Sequence, residues 1–209
     1  YGRANRIAST ALLLAAAFGL IILGAGLMFL DPFMRLLGAT ETMLPHAKAY
    51  ANYILIAAPF MVISFVLNNL LRAEGKIKYA MIGISIGGLL NIGLDPLFIH
   101  TLGLGTAGAA IATGISQLVS AAILLAAYFK KGFTVVQPSV GQIEISGRML
   151  LDIFKTGLPA LLRQGLASIA SVALNRSAMV YGDAAVAAMS IVSKVFMLIF
   201  STSLGIGEG

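Results

Sequence analysis

Asn91 and Asp95 stand four residues apart in Asn91-Ile92-Gly93-Leu94-Asp95-Pro96, within a stretch, residues 79–100, that is otherwise almost wholly apolar. Twenty-two helical residues at about 1.5 Å each cover roughly 33 Å, which matches a hydrocarbon core about 30 Å thick. At this spacing the amide and the carboxylate share one helix face. An ionised Asp in a membrane helix costs about 2.5–3.5 kcal/mol even on lenient insertion scales, so a position that keeps one faces a cavity and handles ions or substrate. Pro96 has no N–H for the carbonyl of Ile92, which leaves a polar acceptor one turn from the carboxylate. A carboxylate, an amide oxygen and a freed carbonyl suit a proton or a small hard cation such as sodium, and not a transition metal. In the alternative reading the helix stops at Pro96 and Asp95 is an interfacial cap. Leu97-Phe98-Ile99 continues the apolar run, however, and the first clear turn signal is Gly103-Leu104-Gly105, so the helix is expected to kink and continue.

Other polar residues interrupt apolar runs. Arg163 lies about 10 Å into its span, deep enough that an unpaired guanidinium is costly, although a long side chain can snorkel back to the headgroups. With Gln164, Gln117, Asn68 and Asn69 it makes up the candidates for a substrate cavity; for the two asparagines, hydrogen bonding between helices is the structural alternative. Arg176 and Lys194 are weaker signals. His46 and His100 sit at span ends with no partner at metal-ligand spacing. No Gly-Lys-Ser/Thr phosphate loop occurs, and Gly103-Leu104-Gly105 lacks the strand that a dinucleotide loop needs. No enzymatic constellation emerges.

The elements that position these residues follow from composition. Of 209 residues, 59% are hydrophobic and 11% charged, and the mean hydropathy is +0.96, which reads as an all-α integral membrane protein. The net charge of +6 is distributed between apolar runs instead of forming a patch, so nucleic acid is not an expected partner and the lipid bilayer is. Without cysteine there is no disulfide and no thiolate chemistry. Tyr1 at the start and the abrupt Gly205-Ile206-Gly207-Glu208-Gly209 read as an internal piece of a longer protein.

Six spans are expected, at residues 9–30, 49–71, 79–100, 105–129, 157–181 and 184–205. Asp31-Pro32 is expected to end the first, and Pro59 to kink the second. The fourth carries Gly108, Ala112, Ser116 and Ser120 at four-residue intervals, a small-residue stripe suited to close helix packing. Residues 130–155 read as a polar, flexible linker that lets the helices on either side move separately. At its end Met149, Leu150, Ile153 and Phe154 oppose Arg148, Asp152 and Lys155 on a helical wheel, with Ser146 as cap, an interfacial helix distinct from the span that Gly157-Leu158-Pro159 introduces. Alternate connections share a side, and nine basic residues fall on one: Arg3, Arg6, Arg72, Lys76, Lys78, Lys130, Lys131, Arg148 and Lys155. Only Arg35 and Lys48 fall on the other. The bias puts the first set, with Tyr1, in the cytoplasm and Tyr181-Gly182-Asp183 outside.

The order of several blocks carries a resemblance. Leu37-Gly38-Ala39-Thr40, Ala58-Pro59-Phe60, Asn69-Leu70-Leu71-Arg72-Ala73-Glu74-Gly75, Asn91-Ile92-Gly93-Leu94-Asp95-Pro96-Leu97-Phe98-Ile99, Gly105-Thr106-Ala107-Gly108-Ala109-Ala110 with Ser116-Gln117, and Gly157-Leu158-Pro159 look like successive signatures of the multidrug and toxic compound extrusion (MATE) family of bacterial efflux transporters. The resemblance implies about six transmembrane helices of a twelve-helix, two-lobe transporter in a bacterial inner membrane. Residues 1–129 would be the last four helices of the first lobe, 130–155 the cytoplasmic linker between lobes, and 156–209 the first two helices of the second. It further implies a proton- or sodium-binding cluster at Asn91, Asp95 and Thr113, and export of hydrophobic, cationic, drug-like compounds by the fragment together with the missing remainder of the transporter. Glu208 departs from the Gln usual in the family. A lipid-linked sugar flippase of the same superfamily and a non-transporting structural membrane protein are the alternatives. The charge bias generates a test: of cysteines introduced at Lys76 and Gly182, only the second should react with a membrane-impermeant thiol reagent applied from outside, and equal labelling would overturn the topology.

Overall fold

In hydrocarbon, backbone amides find no partners but one another, so long uncharged apolar runs fold as helices. The computed structural model of the chain describes residues 2–130, 132–139, 141, 143 and 146–208, without the side chains of residues 148 and 204–208. The readings at Tyr1, Lys131 and Glu144, and at the side chains of Arg148 and Glu208, lie outside the described residues. The elements are α1 (Gly2–Met28), α2 (Leu30–Leu36), α3 (Leu44–Ala73), α4 (Ile77–Pro96), a π-helical turn (Leu97–Thr101), α5 (Gly105–Phe129), α6 (Gly147–Met179) and α7 (Asp183–Glu208). Among the described residues there is no strand. Six segments are long and apolar enough to cross a membrane: Gly2–Met28, Leu44–Ala73, Ile77–Thr101, Gly105–Phe129, Met149–Met179 and Asp183–Ser203.

Proline chemistry accounts for one boundary that holds and one that does not. α1 ends at Met28, just before Asp31-Pro32, and these two residues fall in the first turn of α2, where a carboxylate meets unpaired N–H groups and proline's missing donor costs nothing. Gly157-Leu158-Pro159 does not separate an interfacial helix from a span, because α6 runs unbroken from Gly147 to Met179. Pro159 removes only the bond to the carbonyl of Lys155, and the turns on either side suffice to carry the helix through.

The chain divides into two compact units, Tyr1–Leu30 with His46–Lys155, and Asp31–Pro45 with Thr156–Gly209. In the first, α1 meets α3 at Gly19, where an added Cβ would lie 2.5 Å from Pro59 Cα. The small-residue stripe of α5 is buried at Gly108, Ala112, Ser116 and Ser120. Its counterpart on α4 is Gly83 and Gly87: a Cβ at Gly87 would stand 2.9 Å from Ser120 Cβ and 3.1 Å from the Ser116 carbonyl. The approach is close enough for Ser120 Oγ to donate to the Gly83 carbonyl at 3.0 Å and Tyr79 Oη to that of Ile123 at 2.9 Å. Beside this seam Leu67, Leu71, Ala80, Leu124 and Ala127 form the core.

The start of the expected flexible linker is fastened to this unit. Val135 and Val136 N–H donate to the Glu74 carboxylate at 2.9 and 3.3 Å, Gln137 N–H to Asn5 Oδ1 at 3.1 Å, and Ser139 N–H to Ser9 Oγ at 2.9 Å. The Phe133 ring lies 5.1 Å from that of Tyr79, with Lys76 Nζ at 4.9 Å and Lys130 Nζ at 5.7 Å from its centroid. Polar composition predicts solvation; here three side chains from two distant places, α1 and the α3–α4 turn, satisfy the extended backbone instead.

In the second unit Thr40 Oγ1 donates to Asp183 Oδ1 at 2.6 Å and Thr42 Oγ1 to Asp183 Oδ2, so two hydroxyls of the α2–α3 connection hold the first residue of α7. Gly38, at φ 97°, permits the turn before them. Arg35 pairs with both Glu41 oxygens and approaches Asp31 at 3.7 Å. Its hydrogen bond holds the Glu41 carboxyl below the usual range, and Glu41 in turn raises the guanidinium. The α4–α5 seam predicts that Gly87→Ala lowers stability by about 1–3 kcal/mol through overpacking. Gly88→Ala, with nothing within 4 Å, should be neutral or stabilising. Thermal unfolding of both variants in detergent checks this, and an equal response would show that the seam tolerates the extra atom.

Candidate functional site

α4 presents Asn91 and Asp95 one turn apart, and the Gly83/Gly87 seam sets the distance at which α5 runs beside it. Asn91 Nδ2 donates to Asp95 Oδ1 at 3.2 Å and to Thr113 Oγ1 at 3.4 Å, so one amide bridges a carboxylate on its own helix and a hydroxyl on the next. Thr113 Oγ1 spends its proton on the Ala109 carbonyl at 2.9 Å, which turns its lone pairs outward as acceptors. All three side chains are half-buried. Both amide contacts are long for N–H···O bonds, so Asp95 is held loosely. Among the described residues Asp95 Oδ2 and Asn91 Oδ1 carry no hydrogen bond, which leaves two oxygens to receive a proton or ligate a cation.

Below the carboxylate the helix neither ends nor merely kinks. Pro96 has no N–H for the Ile92 carbonyl, and the following turn, Leu97–Thr101, widens into a π-helix whose exit is the Leu102 N–H bond to the Leu97 carbonyl at 3.0 Å. Leu104 N–H then bonds the Phe98 carbonyl at 3.1 Å. At this point α5 begins, with Gly108 against the Phe98 carbonyl: a Cβ there would lie 2.7 Å from the oxygen. Asp95 is therefore an internal residue of a continuing helical segment, not its cap.

The cavity candidates have diverse settings. Asn68 is buried and donates to the Ala80 carbonyl at 3.0 Å across α3 and α4, as the structural alternative has it. Asn69 is exposed and donates to the Phe65 carbonyl of its own helix at 2.8 Å. Gln117, half-buried, lies one turn beyond Thr113 on α5, while Arg163 and Gln164 are exposed on α6 in the second unit. The structure thus brings together Asn91, Asp95 and Thr113. His46 and His100 are exposed. Among the described residues no group of three or more His, Cys, Asp or Glu gathers.

Known proteins share this architecture. The MatE family model matches residues 1–97. The chain is 32% identical over its full 209 residues to the multidrug export protein MepA of Staphylococcus aureus, of which it covers 46%. It is 29% identical over 191 residues to MepA of Staphylococcus saprophyticus, covering 42% of it. The chain thus spans about half the length of these curated relatives. Among solved structures, an inward-facing multidrug resistance MATE transporter of the MOP superfamily superposes with a TM-score of 0.87 at 35% identity, over 93% of this chain and 44% of that one. A MOP superfamily transporter from Pyrococcus furiosus, whose binding pocket has a reverse polarity suggesting a different function, gives 0.80 at 35% identity, over 94% and 44%. Together with the six apolar helices, these likenesses make the chain a multi-pass membrane protein.

The bridging amide leads to a measurable expectation. In a double-mutant cycle of Asn91→Ala and Thr113→Val, read by thermal stability in detergent, the coupling should be about 0.6 kcal/mol, the usual worth of an interhelical hydrogen bond in a membrane protein. Strict additivity would mean that the contact contributes nothing.

Proposed function

We propose that the chain is part of a MATE-type antiporter that exports hydrophobic cationic compounds in exchange for protons or sodium, a reading supported by the match of residues 1–97 to the MatE family model. The observation that carries the reading is the Asn91 amide bridging Asp95 and Thr113. Loading of Asp95 removes or compensates its charge inside the membrane, where an uncompensated carboxylate is expensive. A proton would bind Oδ2. Sodium would take the same oxygen together with Asn91 Oδ1 and the Ile92 carbonyl freed by Pro96, all hard donors. Either ion changes what the Asn91 amide faces, and with it the polar contact between α4 and α5. The protein works in this reading from the bacterial plasma membrane, with the rest of the transporter supplying helices that this chain does not contain. Gln117, Asn68, Asn69, Arg163 and Gln164 remain the substrate-contact candidates, Gln117 being the one nearest the cluster in sequence.

The relatives named as multidrug exporters support a drug-like cargo. The similarity to the Pyrococcus transporter of reverse pocket polarity, and the exposed Arg163, favour as a second reading an anionic cargo such as a lipid-linked sugar. Efflux of a fluorescent cation from cells or vesicles with and without an imposed proton or sodium gradient separates the two. For the first reading, Asp95→Asn keeps shape and hydrogen bonding, so the protein should insert normally while gradient-driven efflux drops to the passive leak. Asp95→Glu should retain part of the activity. Wild-type export by the Asn variant under the same gradient would reduce Asp95 to a structural residue.

A further inference from the structure

Away from the Asn91 cluster, the first unit holds a cavity of about 490 Å³ between the first turns of α1 and of α6, lined by Arg3, Arg6 and Ile7 on one side and Met149, Asp152 and Ile153 on the other. Its size falls within the range of small-molecule sites. The lining has two characters. Arg3 and Arg6 are exposed at the rim, whereas Met149 and Ile153 are half-buried and, with Ile7, give an apolar wall. Arg3 Nη2 lies 3.6 Å from Asp152 Oδ2 with both side chains largely exposed, at 81% and 55%. Such a pair contributes little and exchanges readily for a better anion. Arg6 and Asp152 have further interactions of their own, so the anionic ligand competes with contacts that the two residues already make.

We propose that this cavity binds the phosphate of an anionic phospholipid, with Arg3 and Arg6 on the phosphate and the glycerol and upper acyl chain against Ile7, Met149 and Ile153. Three observations commit the site to a lipid. The cavity lies at the end of the apolar α1 span, where headgroups reside. Its basic rim belongs to the nine-residue set that the charge bias assigns to the cytoplasmic side, the leaflet face rich in anionic lipid. Its apolar wall has no role for a free phosphate but matches the part of a lipid that follows the phosphate. Guanidinium groups are also the side chains best matched to phosphate geometry. Asp152 is then the counter-charge that keeps the site closed to weak anions and is displaced from Arg3 by the lipid.

The test uses the full-length transporter in nanodiscs of phosphatidylcholine mixed with phosphatidylglycerol, with retained lipid read by native mass spectrometry after release into detergent. The wild type should retain phosphatidylglycerol over phosphatidylcholine. The double variant Arg3→Gln/Arg6→Gln should lose this preference by about thirtyfold, the worth of two basic side chains at about 1 kcal/mol each. Asp152→Asn, which keeps both arginines and removes the competing carboxylate, should strengthen it. Unchanged retention by the double variant, or weakened retention by Asp152→Asn, would overturn the proposal. Soluble glycerol phosphate supplies the remaining arm: if it displaces the retained phosphatidylglycerol at millimolar concentration, the site recognises phosphate alone and the lipid assignment is wrong.

Discussion

The distance between the α4 and α5 backbones is the constraint on which the first unit depends. In lipid, apolar burial gives helices no reason to prefer one another over acyl chains, so association rests on close van der Waals fit and on polar contacts that the fit allows. Glycine at 83 and 87 supplies the fit, and each polar contact along the seam follows from it: Ser120 reaches the Gly83 carbonyl, Tyr79 reaches that of Ile123, and Asn91 reaches Thr113. The last is the longest of the three and lies nearest the π-helical turn. The close approaches at Gly87 and Gly108 flank this bridge on either side, so Asp95 stands on closely packed elements while its own hydrogen bond to Asn91 stays long.

Much of this was legible in the sequence because it is periodic. The spacing of Asn91 and Asp95, the stripe Gly108, Ala112, Ser116 and Ser120, and the continuation past Pro96 are local properties of one helix and can be counted. Thr113 is different: nothing in its own neighbourhood marks it, and it entered through resemblance to a family before geometry placed it beside Asn91. The wider turn after Pro96 was not legible. Proline announces a lost hydrogen bond, but whether the chain kinks, stops or expands by a residue depends on what packs outside it, here Gly108 against the Phe98 carbonyl.

Contacts between a side chain and a remote backbone were the least legible. Glu74 sits in a charged turn and reads as a solvated residue, yet it accepts two N–H groups from residues 135 and 136, while Asn5 and Ser9 take two more from 137 and 139. A polar segment of this kind can be free or fastened with the same composition, since what decides is the presence of acceptors elsewhere. Likewise Thr40, Thr42 and Asp183 are unremarkable residues at helix ends, and only the fold gathers them.

The fastening of that segment and the membership of residues 31–45 in the second unit change how the two halves of the chain are joined. The backbone passes between units three times, at 30/31, 45/46 and 155/156. None of these passages is a slack tether. The second falls inside α3 and the third inside α6, so neither is a loop. Within α6 the helical ladder is thinnest just past the third passage, where Gly157 adds backbone freedom and Pro159 leaves the Lys155 carbonyl without its helical donor. Gly157-Leu158-Pro159, which reads as the start of a helix, is thus the softest stretch within one.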